Sequence, residues 1–182
     1  MMRAKASRRL VIDASVARAA GGEGATFPQS KHCRDVLKTV LDVCHRAVMP
    51  AAIRDEWNKH QSVFATRWRV AMVARKKLIL DDTPSDALLR GEIEAASATE
   101  PGREAMLKDV HLVEAAQMAD QTIVSLDDTA RGLFASASRR VRALRTIAWV
   151  NPGSEGDRAQ AWLHDGAPPE PAYRLRPGKP GA

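Results

Sequence analysis

The chain has 182 residues, 45% of them hydrophobic and 27% charged, with a formal net charge of +6. That mixture builds one ordinary core and excludes a disordered polyampholyte, while no apolar run approaches the roughly 20 residues a spanning helix requires. Two cysteines, Cys33 and Cys44, are too few for a disulfide framework, so both are expected to be reduced, on one helix face and without a metal role.

The opening MMRAKASRRLVIDAS is basic, but Leu10-Val11-Ile12 is too short for a signal-peptide core. A cytoplasmic protein with no membrane partner is the expectation. Residues 9–13 predict a first strand ending at Asp13. The three- and four-residue spacing of Val36, Leu37, Val40, Leu41 and Cys44 predicts a helix over 29–46. A short strand follows at Ala47-Val48-Met49. Pro50, as the first helical residue, then opens a stripe of Ile53, Trp57, Phe64 and Trp68, read as core.

Further strands are expected at Lys77–Leu80, Thr122–Ser125 and Thr146–Val150. Between them, Thr83 is the expected cap of one helix, residues 101–119 form another, and a shorter one follows Asp127. Short continuous apolar strands alternating with helices imply an α/β fold, with a mainly parallel sheet covered on both faces.

Six of the ten prolines lie beyond Asn151. Residues 1–150 are therefore read as the domain. Residues 151–182 are read as a Pro/Gly-rich, partly disordered extension holding one helix over 154–164, anchored by Trp162 and Leu163. From Asn151 onward, four basic residues meet four acidic ones, so the whole positive excess lies in residues 1–150. That distribution favours an anionic partner such as RNA, although solvated surface charge explains any single cluster.

The acids carry the chemistry. Ligands of an open parallel sheet gather beyond the carboxyl ends of its strands, where Asp13 and Asp127 each follow an apolar run. Asp109 continues the stripe of Leu112, Val113 and Ala116 at i, i+3, i+4 and i+7, which points a carboxylate toward the core at a cost. Glu56 lies in the second turn of a helix that begins at a strand end. Four converging carboxylates are compatible when hard divalent cations, Mg²⁺ or Mn²⁺, neutralise them, and such ions serve phosphodiester hydrolysis. Competing readings are helix caps for Asp13 and Asp127, a solvated pair with Lys59 or His60 for Glu56, and an arginine salt bridge for Asp109. Asp128 beside Asp127 leaves the choice of fourth acid open. His111, two residues along from Asp109, is expected on a different side of the helix.

VIDASV at 11–16, MPAAIRDEW at 49–57 and KDVHLVEAAQMADQTIVSLDD at 108–128 together resemble a PIN domain, with the VapC-type toxin ribonucleases as the nearest group. The resemblance covers about residues 8–150. It implies a three-layer α/β/α sandwich and a Mg²⁺- or Mn²⁺-dependent endoribonuclease. Metal-holding catalytic acids would be Asp13, Glu56, Asp109 and Asp127, with Ser15 and Ser125 in support. A homodimer and a cognate antitoxin protein are also implied. In many members an aromatic residue closely follows the last acid, whereas here Phe134 comes later. The same fold acting as a non-catalytic RNA- or protein-binding module is the alternative.

Overall fold

The computed structural model describes residues 6–178. Five strands form one sheet in the order β3-β2-β1-β4-β5, every adjacent pair parallel. They are β1 (Arg9–Ile12), β2 (Arg46–Val48), β3 (Leu78–Ile79), β4 (Thr122–Val124) and β5 (Ala148–Val150). Leu10, Val11, Ile12, Ile123 and Val124 are all buried, as expected for strands covered on both faces.

Helices α1 (Ala14–Ala19), α2 (Pro28–Asp42), α3 (Ala51–His60) and α4 (Val63–Ala74) lie in the crossovers β1 to β2 and β2 to β3. The chain then returns past β1 through α5 (Ala87–Ala96) and α6 (Glu100–Gln117) to β4, and α7 (Asp128–Ala137) leads to β5. Because crossovers are right-handed, reversing direction moves the helices to the opposite face. The contacts agree: α2 packs on α1 and α4, whereas α6 packs on α5 and α7. The result is a three-layer α/β/α sandwich. Its strand order reverses between β1 and β4, which opens a crevice at their carboxyl ends. No helix among the described residues is long and apolar enough to cross a membrane.

Several local expectations are corrected. Pro50 is the N-cap of α3 and stands outside the first helical turn. The expected long stripe is broken at Gln61-Ser62, where the Ser62 hydroxyl accepts the Ala65 N–H at 3.1 Å and starts α4. Trp57 and Trp68 still stack at 5.5 Å, and their indole N–H groups donate to the Ile12 and Leu37 carbonyls. Asp86 caps α5 in place of Thr83, accepting the Leu89 N–H. Helix α2 ends at Asp42, so Cys44 lies beyond it and shares no helix face with the buried Cys33.

Residues 151–178 are part of the same packed body. The expected helix is two, α8 (Pro152–Glu155) and α9 (Asp157–His164), because Gly156 turns the chain at φ +55° between them. A Cβ there would also sit 3.2 Å from the His32 ring. Both helices pack on α2. Beyond them, Tyr173 and Leu175 are buried, Tyr173 packs on Trp162, and the Leu175 N–H donates to Ile147. Through Leu175 these side chains dock the extension along the β5 edge, while 176–178 are exposed and irregular; residues 179–182 lie outside the described residues.

Candidate metal and phosphodiester site

At the end of β1 the Asp13 N–H donates to the Val124 carbonyl, tying the first acid to β4. Asp13 occupies the N-cap position of α1, yet its side chain caps nothing. Its Oδ2 instead accepts two hydroxyls, Ser15 at 2.5 Å and Ser125 at 2.9 Å. Those hydroxyls accept in turn: Ser15 from the Leu126 N–H and Ser125 from the Asp127 N–H, both at 3.1 Å. Each serine therefore bridges Asp13 to the loop after β4 and fixes the carboxylate across the crevice.

Asp127 does cap α7, its Oδ1 accepting the Ala130 N–H at 2.8 Å. The cap and the metal-ligand readings are compatible, since a carboxylate has lone pairs for both. Glu56 is positioned by its neighbour, because the Trp57 indole bonded to Ile12 holds α3 against the end of β1. Its carboxylate lies 3.5 Å from Lys59 and 3.7 Å from His60, the pairing weighed as the ordinary explanation.

Asp109 is half-buried on α6. Burial pushes its carboxyl above the usual carboxylate range, and the negative charges of Asp13 and Asp127 push it the same way, against weaker opposition from His111 and Lys108. The competing reading, an arginine salt bridge, is not formed by this residue among the described ion pairs.

All four sequence-selected acids line one open pocket of about 240 Å³, together with Ser15. Ser125 is buried just beneath it, reaching the site through Asp13. Asp127 lines the pocket and Asp128 does not, being the first residue of α7. Sequence reasoning missed Arg18 and Lys108 and read His60 only as a partner of Glu56; all three stand around the acids. His111, expected on another side of α6, also lines the pocket, a correction that follows from the pocket wrapping around the helix beyond Asp109.

An all-oxygen donor set and a half-buried Asp109 without an ion pair among the described residues fit a hard divalent cation. Among the described residues, however, no three His, Cys, Asp or Glu side chains are gathered into a ready-made metal site. No protein-family model and no curated protein matches the chain.

Proposed function

We propose that this chain is a Mg²⁺- or Mn²⁺-dependent endoribonuclease of the PIN type, with Asp13, Glu56, Asp109 and Asp127 as the acids that hold the cation. One observation carries the reading: Asp13, Glu56, Asp109 and Asp127, far apart in the chain, line one pocket, where burial first and then the charges of Asp13 and Asp127 push the Asp109 carboxyl up. Structural carboxylates are normally given a cationic partner; Glu56 has Lys59 and His60, whereas Asp109 lies among like charges with only weaker opposition from His111 and Lys108. A bound divalent ion would supply positive charge and would polarise a phosphodiester and activate water.

The protein's own groups account for the rest of the work. Ser15 and Ser125 orient the Asp13 carboxylate, so its position is set before any ligand arrives. Lys108 and Arg18 line the same pocket and are placed to accept the flanking phosphate charge of a polyanion. The narrower form of the proposal is a cytoplasmic homodimeric toxin restrained by an antitoxin protein. Its support is the sequence resemblance alone.

The test is cleavage of labelled single-stranded RNA with Mn²⁺, with EDTA, and by Asp13→Asn and Asp109→Asn. Cleavage should vanish on chelation and fall about hundredfold or more in each variant, since even outer-shell partners of a metal are worth 10–100-fold. Activity that survives chelation or either substitution overturns the reading.

The second reading, a non-catalytic binding module, is favoured by the Glu56 pairing and the ungathered donors. Tight RNA binding without cleavage by the wild type selects it.

A further inference from the structure

Behind the acid pocket lies a larger groove of about 900 Å³ between α2 and α4, closed at one end by the loop at residues 20–24. Its walls are continuous with those of the acid site. Arg18 lines the acid pocket and Ala20 lines the groove; His60 lines the acid pocket and Ser62 the groove. On each wall the nearest lining residues of the two are thus two apart in the chain, a span of at most about 7 Å. The dividing wall is tied together where the Ser62 N–H donates to Ala17.

The groove is a built feature. Arg34 donates to the Gly22 and Glu23 carbonyls at 2.8 and 2.9 Å, holding the loop open as a wall. Gly21 allows the loop to fold, since a Cβ there would meet that of Ala25 at 2.4 Å. The apolar lining comes from Phe64, Leu41 and Ala71, with the edge of Trp68 beneath. At the mouth stand Lys38 and Arg67, both exposed and neither hydrogen-bonded nor ion-paired with any described residue. The acids nearby are partly answered: Asp35 is bonded by Arg34 and Lys31, and Asp42 lies in the field of Lys77. Glu23 is the remaining acid of the lining.

An aromatic, apolar slot with two uncommitted cations at its mouth suits a flat heterocycle carrying an anion. We infer that the groove is a base-binding subsite for single-stranded RNA, and this rests on the ribonuclease reading of the adjoining pocket. The base next to the scissile phosphate leaves the strand and packs on Phe64, while its own phosphate meets Arg67 and Lys38. Base-paired RNA cannot deliver that base without opening, so the subsite selects unpaired strands. Stacking on an aromatic side chain tolerates any base, whereas the groove's finite width sets a preference by size.

The experiment uses the full chain, a short fluorescein-labelled single-stranded RNA, and two variants, Phe64→Ala and the doubly reversed Lys38→Glu/Arg67→Glu. Anisotropy in EDTA reads binding, and cleavage with Mn²⁺ reads kcat and KM. Each variant should bind roughly tenfold more weakly, and the charge-reversed protein should also show a shallower salt dependence. An abasic nucleotide beside the cut should raise KM for the wild type and not for Phe64→Ala. The charge variant alters only exposed side chains, so it decides the question even where Phe64→Ala loosens the fold. Unchanged affinity and KM in the charge variant, with cleavage intact, overturn the subsite and leave the ribonuclease reading standing. Weakened binding by the variants, with no cleavage by the wild type, keeps the groove as an RNA site and removes the nuclease.

Discussion

The two edges of the sheet handle charge in opposite ways. At the amino edge three titratable groups next to strand starts, Asp120, His45 and Lys77, are answered from within the chain. Asp120, before β4, takes the Arg9 backbone N–H at 2.7 Å and its guanidinium at 2.9 Å. His45, before β2 and fully buried, accepts the Arg8 N–H on Nδ1 and pairs Nε2 with the Leu163 carbonyl at 2.7 Å, so Nε2 carries the proton. Lys77, before β3, donates to the Val40, Leu41 and Val43 carbonyls at the end of α2. At the carboxyl edge Asp13 meets hydroxyls, Asp109 meets other carboxylates, and the nearby cations pair with Glu56 or stand unengaged. Charge at one edge is answered within the chain and fastens the fold; at the other, Asp109 is left among like charges.

The largest expected contrast is catalytic. Asp109→Asn should lower cleavage about hundredfold or more, as described above, while Asp120→Asn, a similar change at the opposite edge, should leave kcat and KM near wild type. Equal losses from both would mean that the acids act through fold stability alone.

Next in size is the amino-edge fastening itself. His45→Ala leaves the Arg8 N–H and Leu163 carbonyl without partners and opens a void where β2 meets α9. Lost partners and a cavity of that kind together cost about 2–4 kcal/mol, read as a lower denaturant midpoint. Burial holds the His45 imidazole below its ordinary 6.5, and the charges of Lys77 and Arg8 act the same way, partly opposed by the Leu163 bond. A depressed histidine stabilises the fold fully above pH 6.5 and loses that contribution as pH falls through its folded value. The wild type should therefore weaken below pH 6.5 more steeply than His45→Ala.

Asp120→Asn should cost less, about 1 kcal/mol, because the Arg9 pair is partly exposed and screened. Burial alone would raise the Asp120 carboxyl, but the Arg9 hydrogen bonds and charge outweigh it and hold it below 3.8. Its contribution is present above pH 3.8 and is lost on further acidification, so the substitution should flatten the acid limb of the stability curve.

These edges were unequally legible in the sequence. Strands buried on both faces read as unbroken apolar runs, so the residue after each run marks the carboxyl edge, and Asp13 and Asp127 were found that way. Asp109 was found because an acid in a 3.6-residue apolar stripe needs an explanation. Ser125 and Ser15 came from the family resemblance, and their bridging role through Leu126 and Asp127 N–H groups is tertiary. Arg18, His60 and Lys108 carry no periodic signal, since their place in the pocket depends on how α1, α3 and α6 converge. The packing of residues 152–175 was hidden by their prolines. Composition marks such a segment as irregular, but Trp162, Tyr173 and Leu175 supply enough apolar surface to dock it.

The smallest effect has the opposite sign and tests the comparison most directly. Asp109 is held above the usual carboxylate range first by burial and then by Asp13 and Asp127. A carboxyl raised in this way favours the fold while protonated, below its unfolded value of 3.8, and loses that contribution as pH rises through the folded value. At neutral pH without cation, ionised Asp109 therefore opposes folding. Asp109→Asn removes the charge, keeps the shape, and should raise Tm. A gain of order 1 kcal/mol moves Tm by about 2–4 °C in a chain of this length. The gain should shrink toward pH 3.8, where the native side chain is neutral as well. Added Mn²⁺ should then stabilise the wild type and bring little to the variant, since the ion's stabilisation depends on its affinity for the folded acids. A metal-free Asp109→Asn protein less stable than wild type at neutral pH would show that the carboxylate has a structural partner, and the carboxyl edge would then resemble the amino one.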